Sequence, residues 1–173
     1  VFVGVRVVAG RYPEGGGSRI YREEGGLLKG DEKWSEALKG LGMVSGAVFG
    51  DVDGDGKVDL VVAEEWGPIR VFKNTGAGCQ EITAQLGISQ DTGWWAGVTL
   101  GDMKGEGKLD IIASNWGLNS GYRATEQKPV ELYHGDFGGR EGLDVVEVEW
   151  VGEREVPRKS LQIIETILPW TRD

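Results

Sequence analysis

An acidic, glycine-interrupted segment recurs along this chain, and a recurring unit limits the fold before any single residue is weighed. The first copy reads Phe49-Gly-Asp-Val-Asp-Gly-Asp-Gly-Lys-Val-Asp-Leu-Val-Val-Ala63. The second reads Leu100-Gly-Asp-Met-Lys-Gly-Glu-Gly-Lys-Leu-Asp-Ile-Ile-Ala-Ser114. The third reads His134-Gly-Asp-Phe-Gly-Gly-Arg-Glu-Gly-Leu-Asp-Val-Val-Glu-Val148. Asp51 and Asp102 stand 51 positions apart, and the same offset joins Tyr21 to Phe72 and Gly25 to Gly76. The unit therefore extends beyond the acidic loop. The third loop follows the second by only 34 positions. Either the second unit lacks its outer strands, or residues 117–128 form an irregular insertion in their place.

The residues around the loops read as short strands. Expected strands are 44–49, 58–63, 69–73, 80–83, 95–100, 109–113, 130–133 and 143–150. Asn74-Thr75-Gly76 is a turn signal that closes the third of these. Leu60-Val61-Val62-Ala63 is apolar on both faces, as expected where sheets stack face to face. Repeats of this length built from short strands are the blades of a β-propeller. The expected fold class is all-β: a partial β-propeller of two to three blades of antiparallel strands, with a short C-terminal helix. That helix is read over 159–168, where Leu161, Ile164, Ile167 and Leu168 fall at helical spacing and Pro169 stops it. One partial propeller domain then spans 1–173. It holds a partial blade at 1–42, a blade with an intact acidic loop at 43–92, a blade with a degenerate loop at 93–129, and a partial blade plus the helix at 130–173. Val1 to Val8 reads as a strand already under way, so the expectation is a segment of a longer ring whose remaining blades are its partners. Uncovered blade faces would make the isolated segment associate.

In the first loop Asp51, Asp53, Asp55 and Asp59 hold positions 1, 3, 5 and 9. Alternate carboxylates in a tight turn can face one centre, and Ca²⁺ is a hard cation that takes six to eight oxygens. Gly54 and Gly56 let the backbone bend around an ion, and the Lys57 carbonyl at position 7 is a further candidate ligand. Four carboxylates this close repel one another without a cation. The start resembles an EF-hand loop, but position 12 is Val62 rather than Glu and the flanks are strands. The competing reading is a solvated Asp-Gly turn. The second loop keeps Asp102 and Asp110 but carries Lys104 and Glu106 between them, and the third keeps Asp136 and Asp144 with Gly138 and Arg140. Both are expected to bind no metal, with Lys104 or Arg140 pairing internally with the surviving aspartates.

The formal net charge is −9 and the isoelectric point about 4.7, which argues against nucleic acid or an anionic membrane surface as partner. No apolar run approaches the roughly 20 residues of a membrane-spanning helix, so no membrane insertion is expected. Thirty glycines against five prolines point to tight turns rather than disorder. Cys79 is the single cysteine and His134 the single histidine, and neither sits in a catalytic pattern. Glu64 and Glu65 are adjacent, and sequence does not give the distances a glycosidase-like pair requires. Trp66, Trp94, Trp95 and Trp116 lie near repeat edges, where they either pack blades together or stack on a sugar or protein partner. Three classes stay open: a binding propeller, a structural calcium repeat, and a propeller enzyme.

The Asp-x-Asp-Gly-Asp-Gly-x-x-Asp loop between strands resembles the FG-GAP/VCBS repeats of integrin-α-like propellers. Together with Glu65-Trp-Gly-Pro-Ile-Arg-Val-Phe-Lys-Asn74, Gly93-Trp-Trp95 and Asn115-Trp-Gly-Leu-Asn-Ser120, the chain is also similar to proteins related to cartilage acidic protein, which often carry an ASPIC/UnbV segment. The resemblance implies a calcium-stabilised propeller that is extracellular, at the cell surface or periplasmic. It implies a binding or adhesion module for a protein or glycan ligand. It places calcium on Asp51, Asp53, Asp55 and Asp59, and on Lys57 through its backbone. Membership of such a family does not fix an activity.

Overall fold

The computed structural model describes residues 1–117, 120–139 and 142–168. Leu118, Asn119, Arg140 and Pro169, which the sequence reading used, lie outside the described residues. The chain packs as two compact units, one of residues 1–8 and 14–116, the other of residues 9–13 and those after Trp116.

The first unit opens with an antiparallel sheet of β1 (Phe2–Val3), β2 (Arg19–Glu24) and β3 (Leu27–Gly30). The helix α1 (Glu32–Ala37) follows. Then come β4 (Met43–Gly50), β5 (Asp59–Gly67), β6 (Ile69–Asn74), β7 (Cys79–Glu81), β8 (Gly93–Gly101) and β9 (Asp110–Asn115). These form one antiparallel sheet in the order β7-β6-β5-β8-β9, with β4 also paired to β5.

Alternation along β5 explains why this strand is the centre. Leu60 and Val62 join Phe72, Trp34, Leu38, Leu41, Val44 and Ile20 in one cluster. Val61 and Ala63 join Ile69 and Val71 in a second, against which Trp95, Val98, Leu100 and Ile111 pack. A strand with both faces covered has no polar face to show, which is why 60–63 is a continuous apolar run. Each fully buried side chain of this size contributes about 1.5–3 kcal/mol.

The 51-residue offset survives in the backbone. The register of β4 on β5 shifts between Val44 and Gly46, and that of β8 on β9 shifts between Trp95 and Gly97. Gly46 and Gly97 also meet: a Cβ on Gly46 would stand 3.0 Å from the Gly97 Cα. Close approach of two backbones calls for glycine there. After β2 and β6 the chain turns through Gly25 (φ 63°) and Gly76 (φ 80°), the left-handed region that glycine enters freely.

Two features differ from the sequence reading. The opening valines give only the two-residue β1. Beyond it Val5 N–H donates to Ser18 Oγ and Val8 N–H to the Glu14 carbonyl, so the run leaves the ladder. α1 was not expected; Asp31 caps it by accepting the Trp34 N–H, and Trp34 anchors it in the core.

In the second unit β10 (Glu131–Gly135), β11 (Asp144–Val151) and β12 (Arg154–Pro157) form an antiparallel sheet, followed by α2 (Leu161–Ile167) with Ile164 buried. The fold is thus mostly β, three antiparallel sheets and two short helices, with no closed barrel among the described residues. It is a partial propeller-like all-β fold with a short C-terminal helix.

Candidate metal centre

The first acidic loop joins β4 to β5, and its own aspartates shape it. Asp51 accepts backbone N–H groups from Gly54 (2.8 Å), Asp55 (3.1 Å) and Gly56 (2.8 Å). Gly54 and Gly56 have φ of 78° and 82°, which lets the chain curl around that carboxylate without a Cβ penalty. Asp59 is 0 % exposed. One of its oxygens accepts the Val52 N–H at 3.0 Å and the other the Asn74 N–H at 2.8 Å. The Asn74 side chain in turn donates to the Val58 carbonyl at 3.1 Å. A carboxylate buried this deeply is tolerable because charge-assisted hydrogen bonds satisfy it.

One carboxylate oxygen each from Asp51, Asp53 and Asp59 lie within 4.8 Å of one another. Asp55, the fourth expected ligand, faces two lysines. It accepts the Lys57 N–H and the Lys57 ammonium, both at 2.9 Å, and lies 3.1 Å from the Lys73 ammonium. Lys73 also donates to Asp53. The Lys57 hydrogen bonds hold the Asp55 carboxyl down at about 2, with Lys73 adding to the effect. Asp53 first, then Asp55, pushes Lys73 up to about 12. Lys57 thus touches the site through its amide and ammonium groups. Lys73 was missed by the sequence reading. Its signal was topological: β6 pairs with β5 in the register Leu60↔Phe72, so the residues after Phe72 run beside the loop.

The donor set suits a hard cation. Every oxygen-bearing side chain of the loop is a carboxylate, and the structure already gathers ammonium groups against them.

The two other loops keep the frame and lose the cluster. Asp102 accepts the N–H groups of Glu106 (3.0 Å) and Gly107 (2.7 Å), and these amides hold its carboxyl below the ordinary range. Asp110 accepts the Met103 N–H at 3.2 Å, and Asp144 the Gly138 N–H at 2.9 Å. The last aspartate of each loop therefore clamps the start of its own loop, as Asp59 does. Among the described residues Lys104 forms no ion pair with Asp102 or Asp110, which instead accept backbone amides of their own loop. Among the described residues only Asp51, Asp53 and Asp59 gather as a metal-ligand group.

The remaining chemical candidates are held in structural contacts. Glu64 accepts the Gly42 N–H at 2.9 Å and lies 3.5 Å from Arg70; burial pushes its carboxyl up despite both. Arg70 forms a two-point pair with Glu81, while Glu65 forms one with Arg6 at 2.6 and 3.0 Å. The adjacent glutamates are thus bound to different arginines. Burial raises the Cys79 thiol to about 11, which disfavours the nucleophilic thiolate. His134 lies exposed on β10 opposite Val145. Trp95 packs on the second core cluster. Trp94 stacks parallel on Trp116 with ring centroids 4.5 Å apart and lies 5.5 Å from Trp66.

Residues 51–113 match the family model described as FG-GAP-like repeat, a span that runs from the intact loop through the core of β9. No curated protein and no solved structure matches the chain. No described helix is long and apolar enough to cross a membrane. The likeness to ASPIC/UnbV-type proteins finds no counterpart in these matches, whereas the repeat read from the acidic loops does. Over residues 51–113 the chain is thus similar to FG-GAP-like repeats.

Proposed function

We propose that this chain is a calcium-stabilised interaction module in which one Ca²⁺ ion is held by Asp51, Asp53, Asp55 and Asp59 with the Lys57 carbonyl. The observation that carries the reading is the grouping of three carboxylate oxygens within 4.8 Å in a loop whose own amides already fix Asp51 and Asp59. A preorganised ligand set spends little on ordering when the ion arrives. The ion would tie β4 to β5, the strand whose residues 60–63 form the core of the first unit. Its role is structural.

Thermal melts in calcium and in chelator test this directly. Ligand binding to the native state alone stabilises by about 2.7 kcal/mol at a hundred times Kd, a midpoint shift of roughly 5–10 °C in a chain of this size. Asp53→Ala should abolish the shift. Calorimetric titration should give one site, since neither degenerate loop offers carboxylates at positions 3 and 5 together. An extracellular, cell-surface or periplasmic setting belongs to the same proposal, so Kd should fall near the 10⁻⁴–10⁻³ M of extracellular modules, about five orders of magnitude above that of cytosolic buffers. Identical melts with and without calcium would sink the reading.

The interaction role rests on the stack of Trp66, Trp94 and Trp116, in which Trp116 is 50 % exposed. A half-exposed indole backed by a second, parallel ring is a rigid platform for a protein or glycan ligand. A glycan array probed with the chain and with Trp116→Ala tests the glycan branch. Signal unaffected by the substitution would remove the platform from the proposal.

A further inference from the structure

We infer that Lys73 is the resident counter-ion of the Asp51–Asp59 loop and sets its cation affinity, so that a divalent ion enters only as the Lys73 ammonium leaves Asp53 and Asp55. The inference rests on the metal reading above and deepens it.

The four loop aspartates fall into two pairs. Asp51 and Asp59 are frame: Asp51 binds three loop amides, and Asp59 is locked between Val52 and Asn74. Asp53 and Asp55 lie on the outer arm of the loop, where each accepts a single backbone N–H from two residues further on. Lys73 engages this outer pair, bonding to Asp53 and standing 3.1 Å from Asp55.

Its backbone cannot drift from the loop, because the next residue, Asn74, donates to Asp59 through its amide and to Val58 through its side chain. Its side chain can leave, since it is 33 % exposed and ends in a flexible four-carbon stem. Lys57 differs: its ammonium pairs with Asp55 alone, and it belongs to the loop itself.

A cation already seated on two ligands competes with an incoming one. The apparent Kd is the intrinsic Kd divided by the fraction of molecules whose ligands are free. If the lysine is seated in about nine molecules of ten, binding is weakened about tenfold. The ammonium also relieves carboxylate repulsion when no ion is bound, so the metal-free loop keeps its shape.

Calcium titration of the whole chain by calorimetry, with melts in chelator and in calcium, separates the possibilities. Lys73→Met keeps the stem and removes the charge. It should bind Ca²⁺ about tenfold more tightly, melt lower in chelator and gain more from calcium. Lys73→Arg should stay near the parent chain. Lys29→Met removes an exposed lysine paired with Glu24 on the β2–β3 hairpin and controls for net charge, so it should change nothing. Equal Kd for the parent chain and Lys73→Met overturns the inference and leaves the metal reading intact. Weaker binding by Lys73→Met, with an unchanged far-ultraviolet circular dichroism spectrum, overturns it as well. Absence of calcium binding in parent and variants alike removes the metal reading and this inference with it. Should Lys73→Met fail to fold, Lys73→Gln carries the same expectation.

Discussion

Asp53 and Asp59 are the same residue type in the same loop, yet they do different work. Asp53 is exposed and accepts only the Asp55 amide and the Lys73 ammonium. Asp59 is buried, and its two oxygens accept backbone amides from two segments, the acidic loop and the end of β6. Asp59→Asn would turn an NH₂ toward one of those amides, leaving a buried donor facing a donor. The expected cost is about 2–3 kcal/mol, seen in chelator as well as in calcium. Asp53→Ala should change the melt in chelator by less than about 0.5 kcal/mol. Denaturant melts of both variants in chelator decide the matter: an Asp59→Asn midpoint equal to that of the parent would show that the clamp carries no stability. The sequence reading proposed both residues as calcium ligands. It could not separate their roles, because Asn74 reaches Asp59 from another strand, 15 positions away.

At the scale of elements, legibility followed how local the signal was. The expected strands 44–49, 69–73 and 143–150 appear as β4, β6 and β11 within two residues at each end, because apolar alternation and turn residues are neighbours in sequence. The C-terminal helix was likewise readable from the spacing of Leu161 and Ile164, and it appears as α2. β3 is exposed along its whole length, so no burial pattern betrays it, and β12 is nearly so. α1 did leave a trace, a capping Asp31 followed by Trp34, Leu38 and Leu41 at helical spacing. A reader looking for repeated strands passes over a helix of six residues. Pairing was the least legible property. The hairpins across the acidic loops follow from the repeat, but β5 ladders with β8 past β6 and β7, and nothing local to either strand encodes that choice.

The whole molecule divides unevenly. In the first unit Leu60, Val61, Val62, Ala63, Val71 and Phe72 are fully buried, and the sheet is covered on both faces. In the second unit the buried apolar residues among those described are Val146 and Ile164. Opening free energy follows buried apolar contact, so the two units should open separately. Amides of residues 60–63 and 71–72 should exchange slowest, at the free energy of unfolding the first unit. Those of β10, β11 and β12 should exchange by a cheaper route, with opening free energies lower by at least about 2 kcal/mol, since each extra buried side chain in the first unit counts for that much. Calcium sharpens the contrast. An ion in the Asp51–Asp59 loop raises the opening free energy of a unit only if that opening releases it. Addition of calcium should therefore slow exchange across β4, β5 and β6 and leave β10 to β12 unchanged. Native-state hydrogen exchange read by mass spectrometry, with calcium and with chelator, measures both effects in one experiment. Equal protection in the two units, or an equal calcium effect on both, would mean that they fold and open as one body and that the loop stabilises the whole chain.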